Sequence, residues 1–452
     1  MAHSETVSLG HDKLVVGSTA NKMAILGIFL AIVGGVAAYL SYGRLGGTPE
    51  AQMHFYHAYL FAYTIVLSIT LGALFFVIVQ HLARAGWSVA VRRLPESIAN
   101  NMILMALLAV PLLFGMHDLF HWTHKEAVAA DPILQGKEPY LNTTFFLVRQ
   151  ALYFTLWIGL AVYYRSTSIR QDHSGDARLS KQMEKVSAPA IILFGFSLTF
   201  WAFDWLMGLN SHWFSTIFGV YFFAGCVLAF LSFMLLLTFW LRNNGYGVET
   251  ISHHHQHDLG KLLFAFTFFW GYIAFSQYML IWYANIPEET QFYIPRQVGM
   301  WGTISLMLLI VHLVIPFPGL LSRHVKRRTA VLSFWAVWMM SAHIVDMFWL
   351  IMPNQWINKI PAEVGNAHMP LQAALPQLLV SNNNIYELKP EHADFAGKMM
   401  YPLTTGPLVL AISLLVGMLG LYLVSTALLI KKPSIVPTHD PRLAESLKFE
   451  NA

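Results

Sequence analysis

Apolar stretches of membrane-spanning length recur ten times along the chain, at about residues 24–42, 55–82, 98–116, 141–164, 188–208, 213–241, 261–283, 300–316, 329–350 and 407–430. A helix needs about 20 mostly apolar residues to cross a bilayer, so the pattern predicts an all-α polytopic membrane protein. It divides the chain into an N-terminal segment (1–23), a ten-helix domain (24–430) and a tail (431–452). The polar segment before the first stretch is long and the stretch itself is full length, which predicts a retained helix rather than a cleaved signal. Gly34–Gly35 and the Ser413/Gly417 pair predict close helix packing. Pro111 predicts a kink in the third helix. The 351–406 connection, rich in Pro, Asn and Ala, is long enough to be a lid or docking surface.

The polar positions are unevenly placed. Asp118, Asp204, Glu288, Glu289 and Asp346 lie at the C-terminal ends of the third, fifth, seventh and ninth stretches. Successive helices alternate in direction, so these carboxylates gather on one face. A charge in the bilayer costs about 2.5–3.5 kcal/mol even on lenient insertion scales, and a passive anchor has no need of the arrangement. It points to the handling of protons, cations or a polar headgroup.

Composition agrees: 56% of residues are apolar, 12% are charged and the mean hydropathy is +0.52. Of the 28 lysines and arginines, 20 fall in segments on the side of the termini and 7 on the opposite side, with Arg149 inside the fourth stretch. The positive-inside rule then predicts cytoplasmic termini and outward-facing carboxylates, in a bacterial inner membrane if the host has two membranes. The net charge of +4 is the same bias and predicts no nucleic-acid partner. Cys226 is the only cysteine. One cysteine excludes an intrachain disulfide, a CxxCH haem attachment and a four-cysteine iron–sulfur site.

His117 and His121, four apart around Asp118, read as a proton-accepting cluster or as an interfacial belt. His343 and Asp346, three apart, read as a proton relay or as a structural polar pair. Arg149 lies about 12 Å into its helix at 1.5 Å per residue and needs an acidic partner or water, with Asp204 and Asp118 the candidate partners. On the inner side His81, Lys261 and His312 could begin a half-channel. The His253–His257 run predicts a solvated loop rather than a metal site.

The segments from His57–Tyr63 to Arg92–Arg93, and from His257 to the Ala284–Thr290 turn (ANIPEET), resemble the second NrfD-like membrane subunit of bacterial alternative complex III. That complex is a quinol:cytochrome c (electron-acceptor) oxidoreductase. The resemblance implies ten helices built as two four-helix bundles with two peripheral helices. It implies an iron–sulfur protein, cytochrome c subunits and a sister NrfD-like subunit as partners, which would carry the haem c and iron–sulfur clusters. Nothing would be bound covalently here, and quinone or menaquinone is the candidate ligand. An independent secondary transporter and a purely structural anchor are the alternatives.

Overall fold

A computed structural model describes residues 12–366, 369, 371–382 and 385–451. Ten helical spans are long and apolar enough to cross a membrane: α1 (Gly17–Arg44), α2 (Pro49–Leu82), α3 (Gly86–Phe114), α4 (Thr143–Ser174), α5 (Arg178–Leu209), α6 (Phe218–Asn243), α7 (His253–Ala284), α8 (Gly299–Leu321), α9 (Thr329–Glu363) and α10 (Phe395–Lys431). The chain is an all-α multi-pass membrane protein. Among the described residues the only strands are β1 (Leu379–Asn382) and β2 (Ile385–Leu388), a hairpin in the segment between α9 and α10.

The spans form two bundles of four, α2–α5 and α6–α9, with α1 and α10 paired at the periphery. The two central helices, α2 and α6, are the most completely buried. Gly72 lets them meet, since a Cβ there would fall 2.3 Å from the Cys226 carbonyl oxygen. Because neighbours in lipid gain little from burying apolar surface, close backbone approach carries the packing. The same device joins α1 to α10: a Cβ on Gly34 would come within 2.3 Å of the Gly417 nitrogen.

Two helices are interrupted, and each break is repaired locally. The expected Pro111 site is not where α3 breaks. Its regular helix runs through Pro111 to Phe114, and the breaks fall at Asn100–Asn101 and Gly115. Asn100 donates to the Glu96 and Ala161 carbonyls, and Asn101 to the Ile98 carbonyl and Thr426 Oγ1. In α8 residues Leu309–Val314 form a π turn with His312 in it. Pro316 and Pro318 lack N–H donors just beyond it.

The N-terminal segment, the α6–α7 connection and the tail share one face. Lys13 bridges to Tyr246, and the Ile435 N–H donates to the Leu14 carbonyl at 2.8 Å. The tail is packed: Asp440 pairs with Arg92, Ser446 Oγ accepts from the Ala90 N–H, and the Asn451 N–H donates to His254. On the opposite face the α9–α10 segment forms a packed cap. Trp356, Ile360, Phe395 and Met399 are buried in it, and Trp301 Nε1 donates to the Met399 carbonyl.

Gly34→Ala is expected to destabilise the protein by about 1–3 kcal/mol, the range for overpacking a tight contact. Gly35→Ala, whose Cβ meets nothing within 4 Å, is expected to be neutral or mildly stabilising. Thermal unfolding of both variants in detergent checks the contrast.

Candidate functional site

Asp204 closes α5 beside α4 and is saturated. Arg149 donates to it twice, from Nε at 3.0 Å and Nη2 at 2.8 Å. Tyr140 Oη, Tyr153 Oη and Gln150 Nε2 add bonds of 3.0, 3.1 and 3.2 Å. Gln150 is itself fixed by the Trp205 indole N–H. The remaining guanidinium nitrogen donates to the Tyr140 carbonyl, and the group lies 3.9 Å from the centre of the Tyr140 ring. Burial and the Asp204 charge push the Tyr140 phenol up from its ordinary value, so it stays a donor. A carboxylate has about four lone-pair positions, and here all are occupied. Of the two acidic partners considered for Arg149, Asp204 is the one present. The pair is a fixed strut.

Asp346 contrasts with it. It is fully buried in α9, and its two oxygens accept from the Tyr221 hydroxyl of α6 and from Trp270 Nε1 of α7 at 3.1 Å. Among the described residues no cation pairs with it. His312 stacks on the same Trp270 with ring centres 3.6 Å apart, and neither of its ring nitrogens has a hydrogen-bond partner among the described residues. His312 therefore belongs with Asp346 rather than with an inner-side group. His343 turns away from Asp346 toward α2, its Nε2 2.9 Å from Ser68 Oγ. The Ser68 hydroxyl donates to the Ile65 carbonyl at 2.7 Å, so His343 Nε2 is the donor to serine. Its Nδ1, which has no partner among the described residues, is then the lone pair.

Tyr221 and Trp270 also form part of the wall of a crevice of about 340 Å³ between α7 and α8. Its exposed rim is apolar, with Phe275, Leu306 and Leu309. Its interior offers Tyr278, Gln297 and Ser305, with Gln297 Nε2 donating to Tyr278 Oη at 3.3 Å and Trp349 Nε1 to Ser305 Oγ at 2.7 Å. Next to the lining residue Gln297, Arg296 is buried with no carboxylate partner among the described residues. It donates to the carbonyls of Phe292, Trp349 and Leu350, and burial pulls its guanidinium down to about 9. An apolar mouth, aromatic walls and a few converging polar groups suit a flat amphipathic ring.

The other sequence-derived candidates lie elsewhere. The helix carrying His117 ends at Leu119, so His117 and His121 do not share a helical face. Instead His124 joins them, its ring centre 3.8 Å from that of His117 and 5.8 Å from that of His121. Asp118 accepts from Gln52 at 3.0 Å. Glu288 and Glu289 occupy the short Pro287–Thr290 turn, away from Asp346. On the terminal face Lys261 is an exposed partner of Asp258, and His81 Nε2 lies 3.9 Å from Glu96. The His253–His257 run opens α7, with His255 and His257 buried, so it is not a solvated loop. Among the described residues no group of three or more His, Cys, Asp or Glu side chains could hold a metal ion.

Tyr221, Trp270, Ser68, Arg296 and Glu96 were not singled out in the sequence. An aromatic residue or a serine inside an apolar stretch gives no sign of its partner there. Glu96, next to Arg92–Arg93, was the detectable one, as an acidic residue just before an apolar run.

Arg149→Met is expected to cost about 3–5 kcal/mol by leaving a buried carboxylate unpaired, and Arg149→Met combined with Asp204→Leu to recover much of it. Chemical unfolding of the purified variants measures both. Compared with known proteins, no family model and no curated protein matches the chain.

Proposed function

We propose that the chain is a membrane subunit of a bacterial respiratory quinol:electron-acceptor oxidoreductase of the alternative complex III kind, seated in the inner membrane with cytoplasmic termini. Its α6–α9 bundle takes up protons released from quinol, and the cap over the face opposite the termini docks the redox subunits. The observation that carries this reading is Asp346: a buried carboxyl with no ion pair among the described residues, held by two residues of a lipid-facing crevice. Asp204, locked by Arg149, cannot exchange a proton without breaking a strut. Asp346 can.

Quinol gives up two electrons and two protons on oxidation. The electrons leave to haem c or iron–sulfur centres in partner subunits, because a chain with one buried cysteine and no CxxCH offers no such ligands. Within this chain Tyr221 passes its proton to Asp346 and takes one from the crevice side. Trp270 holds the second carboxylate oxygen, and its ring orients His312. The apolar rim admits a ring from the bilayer and limits water.

A second reading, an independent secondary transporter, draws support from the interruption at His312 within α8. Solute uptake by vesicles containing only this chain would favour it.

In membranes where the Asp346→Asn chain still co-purifies with c-type haem and an iron–sulfur subunit, quinol-driven turnover is expected to fall about 100-fold or more. Tyr221→Phe should lower it less. Unchanged turnover and proton release in an assembled Asp346→Asn complex would sink the proposal.

A further inference from the structure

On the face that carries the termini, a cavity of about 660 Å³ opens between the end of α2, the start of α5 and tail residues 440–442. Five cations line it, Arg84, Arg92, Lys181, Lys185 and Arg442, against two carboxylates, Glu184 and Asp440. Both carboxylates are already engaged. Arg84 holds Glu184 at 2.5 Å, and Arg92 holds Asp440. Arg442 turns to Glu445. Lys181 and Lys185 have no acidic partner among the described residues, whereas Arg92 also faces Glu96, its Nε 3.6 Å from that carboxylate. The cavity therefore holds a surplus of positive charge and unspent donors.

Backbone electrostatics add to the surplus. Ala177, Ser180 and Lys181 line the cavity at the N-terminal turn of α5, whose regular helix runs from Arg178 to Trp205 and whose N-cap residue supplies no side-chain cap. Such a terminus carries free N–H groups and the positive end of the helix dipole. Asp176 takes up two of them, the Arg178 N–H with its side chain and the Leu179 N–H with its carbonyl.

The lysines also continue a lipid-facing stripe. Lys181, Lys185, Ala188, Ile192 and Phe196 recur at three- and four-residue intervals along α5 and are exposed, Ile192 at 60% and Phe196 at 62%. From Lys185 to Phe196 the rise is about 16 Å at 1.5 Å per residue, close to the depth of one leaflet's hydrocarbon. An ordinary basic loop would end in water; this one ends on an apolar track of acyl-chain length.

We propose that the cavity binds the phosphate headgroup of an anionic phospholipid, with the acyl chains lying along the Ala188–Phe196 stripe. Lys181, Lys185 and the start of α5 take the phosphate, and Arg84 and Arg92 set the limit of its depth. Basic pockets between helices at this level of the membrane are suited to phosphate headgroups. The track argues for a lipid over free phosphate.

The test uses the full chain in nanodiscs of phosphatidylcholine doped with phosphatidylglycerol or cardiolipin, with bound lipid read by native mass spectrometry. The chain is expected to retain the anionic lipid in preference to phosphatidylcholine. The double variant Lys181→Gln/Lys185→Gln is expected to bind it about 30-fold more weakly. Lys432→Gln, an exposed basic change on the same face outside the cavity, should leave binding intact. Both lysines are exposed, so the double variant should unfold at the parent temperature, which separates lost binding from lost fold. Equal retention of the two lipid classes would overturn the proposal, as would an equal loss in Lys432→Gln. Protection by inorganic phosphate matching that by lipid would also overturn it and assign the cavity to a soluble anion.

Discussion

Hydrocarbon solvates neither a peptide group nor a charge, and the placement of nearly every polar residue in this chain follows from that. A polar side chain inside a span must find its partner in the protein, so partners arrive from other helices. Arg149 of α4 meets Asp204 of α5, Ser68 of α2 meets His343 of α9, and Thr70 of α2 meets Tyr422 of α10 at 3.0 Å. Each bond fixes the rotation of two helices about their axes as well as their separation. The breaks obey the same rule, since the backbone freed at Asn100–Asn101 is met by the two asparagine side chains themselves.

Within that frame the carboxyls divide by what surrounds them. Asp204 is met by an arginine and three further donors, an arrangement that fixes geometry and charge together. Asp346 is met by two neutral donors, both of which line the crevice between α7 and α8. Helix-end position, the property visible in the sequence, is the same for both. The difference between a carboxylate locked by an arginine and one held by neutral donors lies in residues from outside its own helix.

That division marks how far the sequence could be read. The ten spans, the small-residue packing surfaces at Gly34 and Gly417, and the need of Arg149 for an acidic partner or water follow from hydropathy, residue size and desolvation cost, which are local properties; that the two glycine surfaces meet each other is not. The separation of His343 from Asp346 was hidden, because residues three apart on a helix still diverge by tens of degrees and each takes its own neighbour. The surroundings of His312 were hidden for a related reason: they are set by Trp270 on α7, which the sequence along α8 does not show. The His117/His121 pair failed on a local signal, Gly115 and the extended Phe120, which ends the helix between them.

The pairing of the first and last spans has a consequence for how the protein is made. α1 enters the bilayer before the eight spans that follow it, yet its glycine seam is with α10, which is synthesised after all of them. For most of biogenesis α1 must stand in lipid with its small-residue face unoccupied. Completion of that seam is then a late event that reports whether the whole chain has been inserted in the right number of crossings. A chain truncated before α10 would leave the seam open and present it to whatever surveys unassembled membrane helices.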